Sequence, residues 1–364
     1  MSDHTLFAPY QLGNIHLNNK IIMAPMTRSR AQPVGVPDEL NARYYAQRAG
    51  AGLIITEGTT PSPNGLGYPR IPGIYSPEQV AGWKLVTDAV HAQGGRIFLQ
   101  VMHTGRVGHL ANMPEGTEVV APTSKTVSGE MYTDAEGPQP HTPPRLMNLD
   151  DIQQAKNEYV AAANNAIAAG FDGIELHGAN GYLLEQFLNP LTNELTNDYG
   201  GSTANRLRFV VETATEVAAA IGGDKVGIRV SPYGIFNDTG AFEDLENTYE
   251  QLSRELGQLG LVYMHIVDHS ALGAPEVPVK IKKLIRDAFG GTIILSGGYD
   301  RERAEQDLAA GLGHLVAYGR PFIANPDLVE RLRNNAALAD ADHGTFYTPG
   351  EQGYTDYPTL AEVG

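Results

Sequence analysis

The sequence predicts an α/β fold, a closed (β/α)8 TIM barrel preceded by a β-hairpin and carrying a long excursion after its third strand. Three observations lead there. Short apolar runs rich in β-branched residues recur eight times, segments with helical start and stop signals fill the spaces between them, and one connection is far longer than a tight turn requires. Alternation of buried strands with helices argues for a parallel sheet, and eight such units within 364 residues suit closure into a barrel better than an open doubly wound sheet. The expected organisation is one barrel domain over residues 1–364, with residues 104–149 as a lid or inserted hairpin.

Taken in order, the first twenty residues turn at Leu12-Gly13-Asn14 and again near Asn18-Asn19, a hairpin expected to plug the barrel bottom. The eight runs are "KIIMAP" (20–25), "GLIITEG" (52–58), "RIFLQVMH" (96–103), "GIELH" (173–177), "KVGIRVS" (225–231), "VYMHIVD" (262–268), "TIILSGG" (292–298) and "HLVAYGR" (314–320). Between them, "SPEQVAGWKLVTDAVHAQGG" carries a Ser cap, Pro in the first turn and a Gly-Gly stop, and "DDIQQAKNEYVAAANNAIAAG" opens on Asp and ends on Gly. "STANRLRFVVETATEVAAAIGG", "EDLENTYEQLSRELGQLG", "VKIKKLIRDAFGG" and "DRERAEQDLAAG" repeat that grammar. The Pro-, Gly-, Ser- and Thr-rich excursion follows a strand, so it belongs to the face where barrels carry active sites, as do "MTRSRAQPVGVP" and "TTPSPNGLGYPRIPG".

A net charge of −16 repels nucleic-acid phosphates and anionic lipid, and no stripe of Lys and Arg offsets it locally, so neither nucleic acid nor a membrane is an expected partner. No apolar run approaches the roughly 18 residues of a membrane span. The opening "MSDHTLFAPYQLG" lacks the basic and apolar segments of a secretory signal, and cysteine is absent. A cytoplasmic protein, monomeric or a small homo-oligomer, is the expectation.

Side chains alternate along a strand, which puts Ile97, Leu99 and Val101 towards the helices and Gln100 and Met102 inward. The same alternation aims Glu175 and His177 inward from the fourth strand and Arg229 from the fifth. Arg229 then either pairs with Glu175 or meets an anionic ligand, because a buried cation without a partner costs several kcal/mol. After the seventh strand stand Ser296, Gly297 and Gly298, and after the eighth Gly319 and Arg320 with Pro321 behind them. Those loops are where barrels often hold a phosphate. A phosphate there, with an amide and a guanidinium across the mouth, describes a long ligand with an anionic tail and a flat polar ring, the shape of flavin mononucleotide (FMN).

The stretches "MAPMTR" (23–28), "YYAQRAGAGLIITEG" (44–58), "FDGIELHGANGYLLEQFLNP" (171–190), "TNDYGGSTANRLRF" (196–209), "GIRVSP" (227–232), "YGRPFIANPDL" (318–328) and "GYTDYP" (353–358) resemble the Old Yellow Enzyme family nearly end to end. The likeness is to its bacterial ene reductases of the pentaerythritol tetranitrate, N-ethylmaleimide and xenobiotic reductase type. The resemblance implies FMN held tightly and non-covalently by Pro25, Met26, Thr27, Gly58, Gln100 and Arg229, with its phosphate on Ser296, Gly297, Gly298, Gly319 and Arg320. It implies reduction by NADPH or NADH, then hydride transfer to the β carbon of an α,β-unsaturated carbonyl or nitro compound. His177 and Asn180 would bind the substrate oxygen and Tyr182 would protonate the α carbon, with Tyr68, Met102, Phe236 and Tyr354 walling the pocket. Nitrate esters and nitroaromatics are further implied substrates. One departure bears on pocket width, since Met102 stands where the family commonly has an aromatic residue.

Two rival chemistries leave little mark. A Schiff-base aldolase wants a lysine inside a central strand, and "VYMHIVD" has none; a metal hydrolase wants clustered ligands, and His177 with Glu175 is too sparse. A non-catalytic flavin carrier would leave Tyr182 and Asn180 without a task.

Overall fold

The structure, a computed structural model, describes residues 5–31 and 34–363. Eight parallel strands close on themselves: β1 (Ile21–Met23), β2 (Leu53–Ile55), β3 (Ile97–Val101), β4 (Gly173–Gly178), β5 (Val226–Val230), β6 (Tyr263–Val267), β7 (Thr292–Ser296) and β8 (Leu315–Tyr318), with β8 pairing back to β1. Around them lie α1 (Glu39–Ala46), α2 (Pro77–Ala92), α3 (Leu149–Ala168), α4 (Thr203–Ile221), α5 (Leu245–Gln258), α6 (Val279–Phe289), α7 (Arg301–Ala309) and α8 (Leu328–Asn334). This is the expected (β/α)8 barrel. No helix among the described residues is long and apolar enough to cross a membrane.

Strand alternation sorts the core into two layers, as both faces of a barrel strand must be buried. Ile97, Leu99, Val101, Ile174, Leu176, Val226, Ile228 and Val230 pack between barrel and helices, whereas Phe98 joins Ile22, Leu53, Tyr263 and Leu315 inside the barrel. Two inward positions are glycine for a steric reason. A side chain at Gly173 would run into the Phe98 ring and one at Gly227 into the Tyr263 ring, and these rings stack 5.9 Å apart in the space so left. The interior below the mouth is therefore filled by these side chains.

The expected hairpin forms from Tyr10–Leu12 and Ile15–Leu17, and Leu12 and Leu17 belong to the interior cluster, so it closes the barrel bottom. Residues 1–4 of that expectation lie outside the described residues. The excursion after β3 folds into a second hairpin, Glu130–Thr133 against Gly137–Pro140. Its Val127 and Met131 gather with Val107 into a small cluster that supports Tyr68 and Tyr182.

One boundary sharpens and one helix is new. Helix α3, expected to start near Asp150, begins at Leu149, where Asn148 and Asp151 cap each other reciprocally and satisfy two donors. Helix α1 had no expectation behind it. Its "ELNARYYA" lacks a continuous apolar stripe, yet Asp38 caps it through a box with Asn41, and Tyr44 and Tyr45 are buried.

Candidate active site

The mouth at the C-terminal ends of the strands opens into a cleft of about 940 Å³. Pro25, Met26 and Thr27 enter it after β1, Gly58 after β2, Gln100 and Met102 from the end of β3, and Arg229 from β5. His177, Asn180 and Tyr182 line it from β4 and the turn beyond. Ser296, Gly297, Gly298, Gly319 and Arg320 line its far end. Gly297 and Gly298 have φ of +136° and +61°, backbone that a side-chain-bearing residue adopts only under strain.

Glu175 anchors the floor. It accepts from Gln100 Nε2 at 2.8 Å and from the Tyr263 hydroxyl at 3.0 Å, and it meets His265 Nδ1 at 2.8 Å; His265 Nε2 reaches Ser296 Oγ at 3.0 Å. All of these groups are buried. Gln100 thus commits one amide N–H and has Oε1 and its second N–H left to offer. Glu175 is fully engaged without Arg229, so the pairing alternative is not realised. The Arg229 guanidinium is buried, and its Nε has no hydrogen-bond partner among the described residues. Burial pulls its pKa below the ordinary value while the nearby Glu175 opposes that pull; the group stays a cation.

His177 is held neutral. Burial, and next the charge of Arg229, keep its pKa well below the usual imidazole value. Its Nδ1 accepts the Ala179 N–H at 3.3 Å, so the ring proton sits on Nε2 as a donor. Asn180 adopts a left-handed backbone, φ +61°, pinned by three contacts: its N–H donates to Ser231 Oγ at 2.9 Å, its carbonyl accepts from Asn237 at 2.7 Å, and its Oδ1 accepts from His269 Nε2 at 2.7 Å. Among the described residues its Nδ2 has no partner. Tyr182 stands edge-on to the His177 ring at 4.8 Å, and its hydroxyl meets that of Tyr68 at 2.9 Å. Burial, and then the Tyr68 neighbour, raise the Tyr182 pKa well above a free phenol's, so the proton is retained at neutral pH.

A fold-wide comparison agrees with the local chemistry. The family model described as NADH:flavin oxidoreductase / NADH oxidase matches residues 5–339. The chain belongs to this family, the Old Yellow Enzymes. This Old Yellow Enzyme is 42% identical to 12-oxophytodienoate reductase 7 of Oryza sativa subsp. japonica, over 98% of its own length and 95% of the relative's. Morphinone reductase superposes with a TM-score of 0.95 at 43% identity, over 100% of this chain and 98% of that one, and has also been solved in complex with tetrahydroNAD. An Old Yellow Enzyme homologue from Zymomonas mobilis gives 0.93 at 37% identity, covering 98% and 100%. The protein is accordingly an NAD(P)H-dependent flavin oxidoreductase with FMN as its cofactor. The cleft fits that group on its own evidence: a buried guanidinium with an unused N–H, an amide with its acceptor and one donor free, and a glycine-lined end beside Arg320.

Three expected pocket residues sit elsewhere. Tyr354 is fully buried away from the cleft, stacked on Tyr44 at 4.0 Å under Arg28 and Arg30, with its hydroxyl accepting from Asn41. It braces the loop after β1 because stacking against that loop's arginines outcompetes exposure at the mouth. Tyr68 and Phe236 are not among the residues lining the cleft but touch two that are: the Tyr68 hydroxyl meets that of Tyr182 at 2.9 Å, and the Phe236 ring meets His269 edge to face at 4.6 Å. In the other direction, His269, Tyr299 and the segment Leu338–Ala341 line the cleft without having been expected there. Only His269 had a signal, a second histidine four residues past His265 at the end of a strand.

Proposed function

We propose that this enzyme reduces the carbon–carbon double bond of an alkene conjugated to a carbonyl or nitro group. The observation carrying this reading is the convergence of two uncommitted donors, His177 Nε2 and Asn180 Nδ2, beside a protonated phenol in a single cleft. Pro25, Met26, Thr27, Gly58, Gln100 and Arg229 would hold the flavin ring, and Ser296, Gly297, Gly298, Gly319 and Arg320 the phosphate. Bound FMN supplies the means to take hydride from NAD(P)H and pass it to the substrate. The rest falls to the chain. Negative charge gathers on the substrate oxygen as its β carbon is reduced, and each preorganised donor lowers the barrier by about 2.7–4 kcal/mol. Tyr182 keeps its proton until the α carbon needs it, and Gly181, at φ +74°, gives the turn that brings it over the same spot. The relatives' names describe an oxo-dienoate and a morphinone as what they reduce, and we carry a ketone oxygen over as the expected activating group.

Anaerobic titration with NADPH followed by reoxidation with 2-cyclohexenone tests the proposal. Bleaching followed by recovery of the flavin colour is expected; colour without turnover overturns the reductase. Tyr182→Phe should slow alkene reduction about 10²-fold or more while sparing flavin reduction by NADPH. An equal loss in both halves would remove its role as proton source.

A further inference from the structure

We infer that His269 is a positioning residue that fixes which end of the Asn180 amide faces the cleft, and so makes the site select an anionic or electron-rich oxygen. The inference rests on the reading of His177 and Asn180 as the oxygen-binding pair. An asparagine amide offers a donor at one end and an acceptor at the other, and rotation by half a turn exchanges them. Facing the cleft with Oδ1, Asn180 would repel a developing oxyanion; facing it with Nδ2, it stabilises one. Its backbone does not decide between these, since the contacts to Ser231 and Asn237 use only the peptide N–H and carbonyl. The 2.7 Å contact between His269 Nε2 and Asn180 Oδ1 does decide. Oδ1 has no hydrogen to give, so Nε2 donates, Oδ1 is turned from the cleft and Nδ2 is left for the ligand.

His269 is suited to this because its own ring is set. The edge-to-face contact with Phe236 at 4.6 Å orients the imidazole, and the backbone carbonyl of Phe236 stands close over Gly181, tying the loop after β5 to the turn that carries Asn180. Two loops from neighbouring parts of the barrel thus hold Asn180, one through its backbone and the other through its side-chain amide. His269 itself also lines the cleft, but its Nε2–H points into the Asn180 contact, so its effect on a bound oxygen runs through Asn180.

The test is a double-mutant cycle on the holoenzyme, read as the dissociation constant of p-nitrophenol in mildly alkaline buffer, where it is largely the phenolate. His269→Phe keeps a ring against Phe236 but removes the donor and should weaken binding about tenfold. His269→Gln, which restores an amide N–H, should recover most of the loss. In the Asn180→Ala background, His269→Phe should cost nothing further, because the two act as a unit. Wild-type affinity in His269→Phe, or full additivity with Asn180→Ala, overturns the inference while the oxygen-binding pair stands. Wild-type affinity in Asn180→Ala removes the pair and the inference with it. Flavin content and melting temperature should be unchanged throughout, and their loss together with binding in both His269 variants would assign the residue to folding instead.

Discussion

Two sets of buried polar groups lie one layer apart in the same barrel, and they are built on opposite terms. The lower set, Gln100, Glu175, Tyr263, His265 and Ser296, is joined through contacts of 2.8–3.0 Å, with the Gln100 amide alone keeping a free side towards the cleft. The upper set, His177, Asn180 and Arg229, ends in hydrogen-bonding groups that the protein leaves uncommitted. Strand register explains how they sit so close: His177 pairs with Arg229 and Arg229 with His265, while Glu175 lies opposite Gln100 and Gly227. A polar group inside a barrel is thus no sign of a ligand by itself. What marks the site is a buried donor whose partner is missing, and the satisfied layer beneath it keeps the unsatisfied one from rearranging to heal itself.

That contrast can be broken from below. Glu175→Ala strips an acceptor from three buried groups at once and should destabilise the protein by about 3–5 kcal/mol in chemical denaturation; a loss under about 1 kcal/mol would mean the floor is held by packing alone. Glu185, beneath the turn that carries Asn180 and Tyr182, provides a second closed set, accepting from Gly181 N–H at 2.6 Å and Ser231 Oγ at 2.9 Å. Burial pushes its carboxyl up to about 7 from 4.5. The folded protein therefore holds a proton that the unfolded chain gives up, so stability present below about 4.5 is lost as pH rises through about 7. Glu185→Gln should flatten that slope, by at most about 3 kcal/mol across the window; an unchanged denaturation profile would show that the carboxyl does not titrate there.

The upper set responds differently. Arg229→Leu removes no hydrogen bond at Nε, so the apoprotein's melting temperature should hardly move, while FMN affinity should fall by about 1.5–3 kcal/mol in a flavin-release titration. Loss of stability with unaltered flavin affinity would reverse the assignment. Smallest of all, Tyr68→Phe takes one hydroxyl from behind Tyr182 and should slow alkene reduction by about fivefold, on the order of 1 kcal/mol; no change would show that Tyr182 needs no partner to deliver its proton.

Much of this was legible before any coordinate. Strand alternation alone aimed Gln100, His177 and Arg229 inward, because a one-residue period reversal would have put the β-branched residues of β3, β4 and β5 in the wrong layer. The residues carried over from the family motifs all meet at the cleft except Tyr68, Phe236 and Tyr354. Those three were beyond reach for one reason: each is placed by a partner distant in the chain, Tyr182, His269 and Tyr44, and nothing local to Tyr68, Phe236 or Tyr354 reports that distance. Helix α1 hid behind mixed polarity although its cap was readable at Asp38. His269 lies in an irregular loop, where periodicity carries no information.

The stacking of Tyr354 ties the chain after the first barrel strand to a segment that lies beyond the last strand in the sequence. Arg28 donates to the Gly353 carbonyl, 325 positions along the chain, and Arg30 to the carbonyls of Thr345, Gly350 and Gln352. The loop after β1, which brings Pro25, Met26 and Thr27 to the cleft, is thus latched by residues that leave the ribosome after every barrel strand has been made. A chain cut before Thr345 would keep all eight strands and lose the carbonyls that hold Arg28 and Arg30, and with them the brace on the loop that carries Pro25, Met26 and Thr27.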